Sequence, residues 1–390
     1  MSEDTPNIEM PDSPVNWQRT ISNGERTTAS CMQRWFLRYG LGLLETSKPR
    51  AMYLGTVWAE AMDAYGRDGL TGALARLDAV EDKHLGGIGA QFLSSFEDTG
   101  AAFVLCRDML ARYDAHWRGR EPDLGRVVLS EHRLVAPIPS PGGGASWKTY
   151  VGGYLDKLTH RRELLDDGLW VVEHKTTSTP LNDWLARNEY KPQGYTYAWL
   201  VEQVIGRPVR GIIFDVALSV RPTPADEFEP IANGSRLRKP NGLPTTTADR
   251  WASAIKRNGF RFDGEPWYVE IGRELRKREE RGHWFRRFVV PYLPAEIQRA
   301  GAELYPVLTQ LRQQKEATAP LRAQLRDKLA SPFEFGELVE SIVREHATAY
   351  PRNAGLCYQY NRPCEYLDLC RHQSREAAGA FTMRTSKGTP

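Results

Sequence analysis

Cysteine is scarce in this sequence: five in 390 residues, at positions 31, 106, 357, 364 and 370. That is too few for a disulfide framework in a chain this long. Met1–Asn16 is acidic, contains proline and has no apolar stretch, so no secretion signal is read there and a reducing, cytoplasmic setting is expected. Long hydrophobic runs are also missing; none approaches the ~18 residues of a membrane span. Charge of one sign is not in excess. Lys and Arg number 52 and Asp and Glu 49, for a net +3, so a polycation is excluded and any nucleic acid must be held by a local basic surface. There is no internal repeat. With 41% hydrophobic and 26% charged residues, the composition is that of a folded globular protein.

Patterning divides the chain into regions of distinct character. Residues 1–24 read as a flexible leader and 25–125 as a helical region. Within it, Thr56 is a plausible N-cap for a helix carrying Trp58, Ala61, Met62 and Tyr65, and 89–117 is further helix. An α/β core spans 126–220. Strands are predicted at 127–136, 150–158, 169–174 and 210–218, with a tight turn at Asp166-Asp167-Gly168 and one helix over 181–205. Residues 221–290 read as an insertion, loop-like to about 265 and then basic and aromatic. Helices fill 291–350, with Pro294 at a helix start and Pro306 expected to kink that helix. Residues 351–372 hold three cysteines, and 373–390 read as a disordered tail.

The densest chemical pattern is Gly153-Tyr-Leu-Asp156 with, 17 positions after the Asp, Glu173-His174-Lys175. Strand side chains alternate, so Glu173 and Lys175 share a face, and Asp156 lies on the neighbouring strand. Two carboxylates and an ammonium can thus meet at one small site. Hard oxygen ligands suit Mg²⁺ or Mn²⁺, and a metal that clamps phosphate and activates water hydrolyses phosphodiesters. The plainer alternative is surface charge on a half-exposed sheet. Against it, Glu173 comes directly after the apolar run Leu169-Trp-Val-Val172. Gln193 and Tyr197, at i and i+4 of the next helix, can face the same strand.

Three of the five cysteines, Cys357, Cys364 and Cys370, fall within 14 residues, which suggests metal or iron–sulfur ligation; incidental thiols are the alternative. Zinc is the competing metal, although the CxxC knuckle common in zinc sites is missing. Cys106, in an apolar stretch, reads as a core thiol. Basic and aromatic residues interleave over 256–287. There Arg286, Arg287 and Trp284 are candidates for holding phosphates and stacking bases, with a solvated helix face the alternative.

Gly153-x-x-Asp156, Glu173-x-Lys175 and Gln193-x-x-x-Tyr197, in that order, resemble the PD-(D/E)XK nucleases of the RecB-like branch, and the Cys31 segment with the C-terminal trio resembles the split cysteine set of that branch's AddB-like and CRISPR-associated members. The likeness runs from about residue 27 to 372. It implies a mixed central β-sheet of restriction-endonuclease-like type flanked by helices, with the N- and C-terminal regions joined at a 4Fe–4S cluster on Cys31, Cys357, Cys364 and Cys370. It implies Asp156 and Glu173 as Mg²⁺ or Mn²⁺ ligands, assisted by the His174 carbonyl, with Lys175 catalytic and Gln193 and Tyr197 orienting the site. Glu131, on the preceding strand, is a weaker site candidate, with a solvated strand carboxylate the alternative. The implied activity is a DNA exonuclease acting on single strands or ends, in recombination, repair or phage DNA processing; a helicase or recombinase partner has no residue-level support. One position departs. The branch's Gly-Thr-x-x-His-Glu-Ala pattern stands here as Gly55-Thr56-Val-Trp-Ala59-Glu60-Ala61. Ala59 offers no ligand atom, whether by natural change or by substitution, so impaired catalysis is expected. The rival reading is an inactive DNA-binding or scaffold protein that keeps the fold.

Overall fold

The computed structural model describes residues 19–45, 50–85, 96–120, 124–161, 168–359 and 362–384. In chain order, β1 (Thr20–Ser22), α1 (Asn23–Thr28), α2 (Met32–Trp35) and a π-helical turn (Phe36–Gly40) lead to β2 (Leu43–Glu45), α3 (Arg50–Leu85) and α4 (Phe96–Trp117). The core comes next: β3 (Arg126–Pro139), β4 (Ala145–Arg161), β5 (Gly168–Thr177), α5 (Leu181–Asn188), α6 (Pro192–Ile205) and β6 (Val209–Leu218). Then come α7 (Ala248–Arg257), α8 (Pro266–Glu280), β7 (Phe285–Pro291), α9 (Pro294–Ala302), α10 (Leu304–Asp327) and α11 (Pro332–His346). The chain closes with β8 (Tyr358–Gln359), β9 (Arg362–Pro363), α12 (Leu367–His372), α13 (Arg375–Ala378) and β10 (Phe381–Met383).

The fold is mixed α/β with a central sheet flanked by helices, as expected. One edge of the long β4 pairs with β3. The other is shared by β1, parallel at Thr20–Ser22, and β5, antiparallel. β5 and β6 are parallel, and β7 closes the sheet antiparallel to β6. Gly168–His174 and most of β6 are buried, as central strands covered on both faces must be. α6 lies over the Glu173 face of β5, and α4 approaches the His174 face.

Several elements differ from the sequence expectations, each for a physical reason. The helix expected over 181–205 is two helices. Pro192 opens α6 and holds Lys191 extended, at φ −64° and ψ 136°. Thr56 is not an N-cap; it lies inside α3, its hydroxyl donating to the Met52 carbonyl at 3.1 Å, and α3 is interrupted instead at Gly69 (φ 65°). The break near Pro306 falls at Glu303, which leaves Pro306 in the first turn of α10, where its missing N–H costs nothing. The insertion is not a loop up to 265. α7, capped by Thr247, packs on α8 through its own core of Trp251, Ile255, Tyr268, Ile271 and Leu275. The leader is ordered by Thr20, with Ile21 fully buried against the sheet. The expected disordered tail forms α13 and β10, the latter pairing antiparallel with β2. Residues 1–18, 86–95, 385–390 and the turn aspartates 166 and 167 lie outside the described residues. No described helix is long and apolar enough to cross a membrane.

Candidate active site and cysteine pocket

β4 and β5 bring Asp156 and Glu173 together. Asp156 Oδ2 accepts the His174 main-chain N–H at 2.8 Å, which locks its carboxylate to the backbone beside Glu173. Glu173 is buried (3% exposed). Its Oε1 takes the Lys175 ammonium and the Gln193 amide, the latter at 2.7 Å. Its Oε2 is buried with no hydrogen-bond partner. Burial and then the Asp156 charge raise the Glu173 pKa, against the pull of Lys175 and Gln193. Burial works against the Lys175 charge, but Glu173 and Asp156 outweigh it and hold the ammonium protonated. Gln193 also donates to the Tyr197 hydroxyl at 3.3 Å. The glycine of Gly153-x-x-Asp156 has a direct reason. A Cβ there would stand 2.4 Å from the Tyr197 ring, so only glycine lets Tyr197 lie against β4.

Glu131 stands across from Asp156, between the paired positions Ser130–Lys157 and His132–Leu155. Its backbone is left-handed (φ 45°), an uncommon conformation for a non-glycine residue and one that costs energy. Burial, then Asp156, Asp63 and Glu60, push its carboxyl up to about 7. Ala59 lies on α3 next to Glu60, whose carboxylate is taken by Arg76 at 2.6 and 3.0 Å.

Beneath the site runs a buried chain that the sequence reading missed. Lys157 is 2% exposed and donates to the Met62 carbonyl at 2.9 Å and to His174 Nε2 at 3.1 Å. The other ring nitrogen of His174, Nδ1, lies 3.0 Å from Asp215 Oδ2. Asp215 also accepts from Tyr113 at 2.5 Å and pairs with Arg287 at 3.4 Å. With Lys157 donating, His174 Nε2 must accept, so Nδ1 carries the proton given to Asp215. Despite burial, Arg287 and His174 hold the Asp215 carboxyl far below the usual range. The signal was present in the sequence: an acid inside Ile212-Ile213-Phe214-Asp215-Val216 must find a partner.

The basic and aromatic candidates fare differently. Arg287 is spent on Asp215 and on the Trp117 ring, 4.0 Å away, rather than on a ligand. Trp284 is 3% exposed, enclosed by Arg112 and Arg278 at 4.9 and 5.8 Å, so its ring presents no face for a base. Arg286 donates to Asn182 at 2.7 Å. Trp284, just before β7, packs into the main core, which composition alone does not reveal.

Cys31 and, more than 300 residues later in sequence, Cys357, Cys364 and Cys370 line one small pocket with Arg34 and Arg352. Cys31 Sγ accepts the Asn353 N–H at 3.4 Å, and Cys364 N–H bonds the Cys357 carbonyl at 2.8 Å. Burial pushes the Cys364 thiol up to about 11 and raises Cys370 as well. Cys106 is fully buried in the main core, as a structural thiol would be. Among the described residues, no three His, Cys, Asp or Glu side chains already stand in a metal-holding arrangement.

Residues 25–371 match the PD-(D/E)XK nuclease superfamily. No curated protein matches. A solved structure from Eubacterium rectale, named "Putative exonuclease", aligns over 76% of this chain and 83% of its own at 10% identity and a TM-score of 0.38, too weak a likeness to speak to function.

Proposed function

Because the chain belongs to the PD-(D/E)XK nuclease superfamily, we propose that it is a metal-dependent DNA nuclease, an exonuclease of the RecB-like branch, centred on Asp156, Glu173 and Lys175. The observation that carries this reading is Glu173: a buried carboxylate with one oxygen held by Lys175 and Gln193 and the other without a partner, beside Asp156. Such a group is costly unless a cation completes it. Asp156, Glu173 and the His174 carbonyl would hold Mg²⁺ or Mn²⁺, with Glu131 as a further carboxylate opposite Asp156. A bound cation would neutralise phosphate charge and make a nearby water more acidic. Lys175, kept charged, can donate to a phosphate oxygen or hold the attacking water. Gln193 fixes the Glu173 carboxylate, and Tyr197 braces Gln193.

Ala59 removes a ligand atom that the resembled branch supplies, so the chain as it stands is a weak nuclease. That same residue favours the second reading, a DNA-binding protein that has kept the fold. The test compares cleavage of labelled single- and double-stranded DNA with Mn²⁺ by this protein, Ala59→His and Lys175→Ala. Cleavage that rises with Ala59→His and vanishes with Lys175→Ala supports the nuclease. Binding without cleavage in all three supports the scaffold.

We also assign a 4Fe–4S cluster to Cys31, Cys357, Cys364 and Cys370. Its support is their convergence on one pocket and a number of thiolates that suits such a cluster. A place in recombination, repair or phage DNA processing, in the cytoplasm, is the setting this reading carries.

A further inference from the structure

Lys175 and Gln193 do not open onto bulk solvent alone. They line a groove of about 1000 Å³. The end of β5, the turn after it and the α5–α6 corner line it. Met52 at the start of α3 and Leu356, Pro363 and Cys364 from the C-terminal segment complete the lining. That volume has room for a few nucleotides.

Its charges are not equivalent. Arg34 is engaged by Glu365, at 2.8 and 3.0 Å, and Lys175 by Glu173. Arg187 and Lys191 are exposed and have no acid partner among the described residues. Between them in sequence, at the corner where Pro192 breaks the helix, Tyr190 is 76% exposed. Two free cations that line the same groove as the proposed catalytic lysine, with an exposed aromatic ring between them in sequence, match a single strand's alternation of phosphate and base.

We propose that this groove is the track of a single nucleic-acid strand, with Arg187 and Lys191 on its phosphates and Tyr190 stacked on a base. The proposal rests on the nuclease reading for what happens at the end of the track, but not for the binding itself.

The test is anisotropy of a labelled oligothymidylate, in EDTA so that no cleavage intervenes, over a range of salt. Arg187→Ala/Lys191→Ala is expected to weaken binding at least tenfold and to flatten the log–log salt slope by about 1.4, two phosphates' worth for a single strand. Tyr190→Ala should cost about tenfold, and Tyr190→Phe nothing. All three positions are exposed, so the melting temperature should not move. Arg273→Ala/Arg276→Ala removes the same charge from the exposed face of α8 and should leave binding unchanged. Equal losses in the two double variants would reduce the effect to net charge and overturn the proposal. So would unchanged single-strand binding, or an equal loss for a blunt duplex. Strand binding that depends on these residues, with no Mn²⁺-dependent cleavage even in Ala59→His, would end the nuclease reading and keep the track. Cleavage with strand binding indifferent to them would do the reverse.

Discussion

At the scale of the residue, the candidate site combines positions that the sequence exposes with positions that only packing explains. Glu173 and Lys175 could be read because a strand's alternation puts them on one face behind a buried apolar run. Gly153 could be quoted as part of a pattern, but its reason appears only with the Tyr197 ring 2.4 Å from where its Cβ would be. Gly153→Ala should therefore destabilise by about 1–3 kcal/mol through overpacking and push Tyr197 off Gln193. Thermal melts check the first effect, and Mn²⁺-dependent cleavage falling further than strand binding checks the second. A melting temperature equal to the parent's would show that the ring yields freely. Restoring a ligand atom with Ala59→His should work in the opposite direction, raising cleavage without a matching rise in strand affinity. Lys157 and Asp215 were not legible as a pair. They sit on separate strands and meet only through the His174 ring.

At the scale of the element, strands were easier to read than breaks. β5 and β6 survive almost as predicted, because burial on both faces leaves a continuous apolar signature, whereas β3 and β4 are only partly buried and are longer than their apolar runs indicate. α7 was hidden in a stretch rich in Pro, Gly, Asn and Thr, where its Trp251 and Ile255 are sparse but decisive. β10 was hidden for another reason. Three residues that pair with β2, more than 300 positions away, leave no local pattern. The contact between α4 and β7 also predicts a pH response. His116 packs against Trp117 and Phe285, with ring centroids at 4.7 and 5.7 Å. Burial, then Arg120 and Arg287, push its pKa down to about 4. The unfolded chain takes up this proton near pH 6.5, whereas the folded one resists until about 4. Stability is thus lost as pH falls through that window. His116→Asn should show a smaller drop in melting temperature between pH 7 and pH 5 than the parent; equal drops would refute the assignment.

At the scale of the whole molecule, the two ends of the described chain are clasped. Arg34 pairs with Glu365, the Phe36 and Tyr350 rings stack at 4.1 Å, the Tyr366 hydroxyl donates to the Leu43 carbonyl at 2.7 Å, and β2 pairs with β10. The four cysteines sit inside this clasp. Protein prepared without oxygen should carry iron and a visible Fe–S absorbance, and Cys31→Ser should lose both and melt lower. Parent protein free of iron and colourless would remove the cluster. The cysteine spacing was legible in the sequence. The clasp around it was not, because ion pairs and ring stacking between distant segments carry no periodicity.

The pairing of Leu43–Glu45 with Phe381–Met383 also sets an order of events in time. During synthesis β2 emerges early and must wait, unpaired, for a partner made more than 300 residues later. Part of the cysteine pocket and part of the groove lining come from the same late-emerging segment. A nascent chain can therefore complete its sheet and its carboxylate site well before it has a walled path for a strand. Assembly of the protein is its own delay, and the groove is the last part to close.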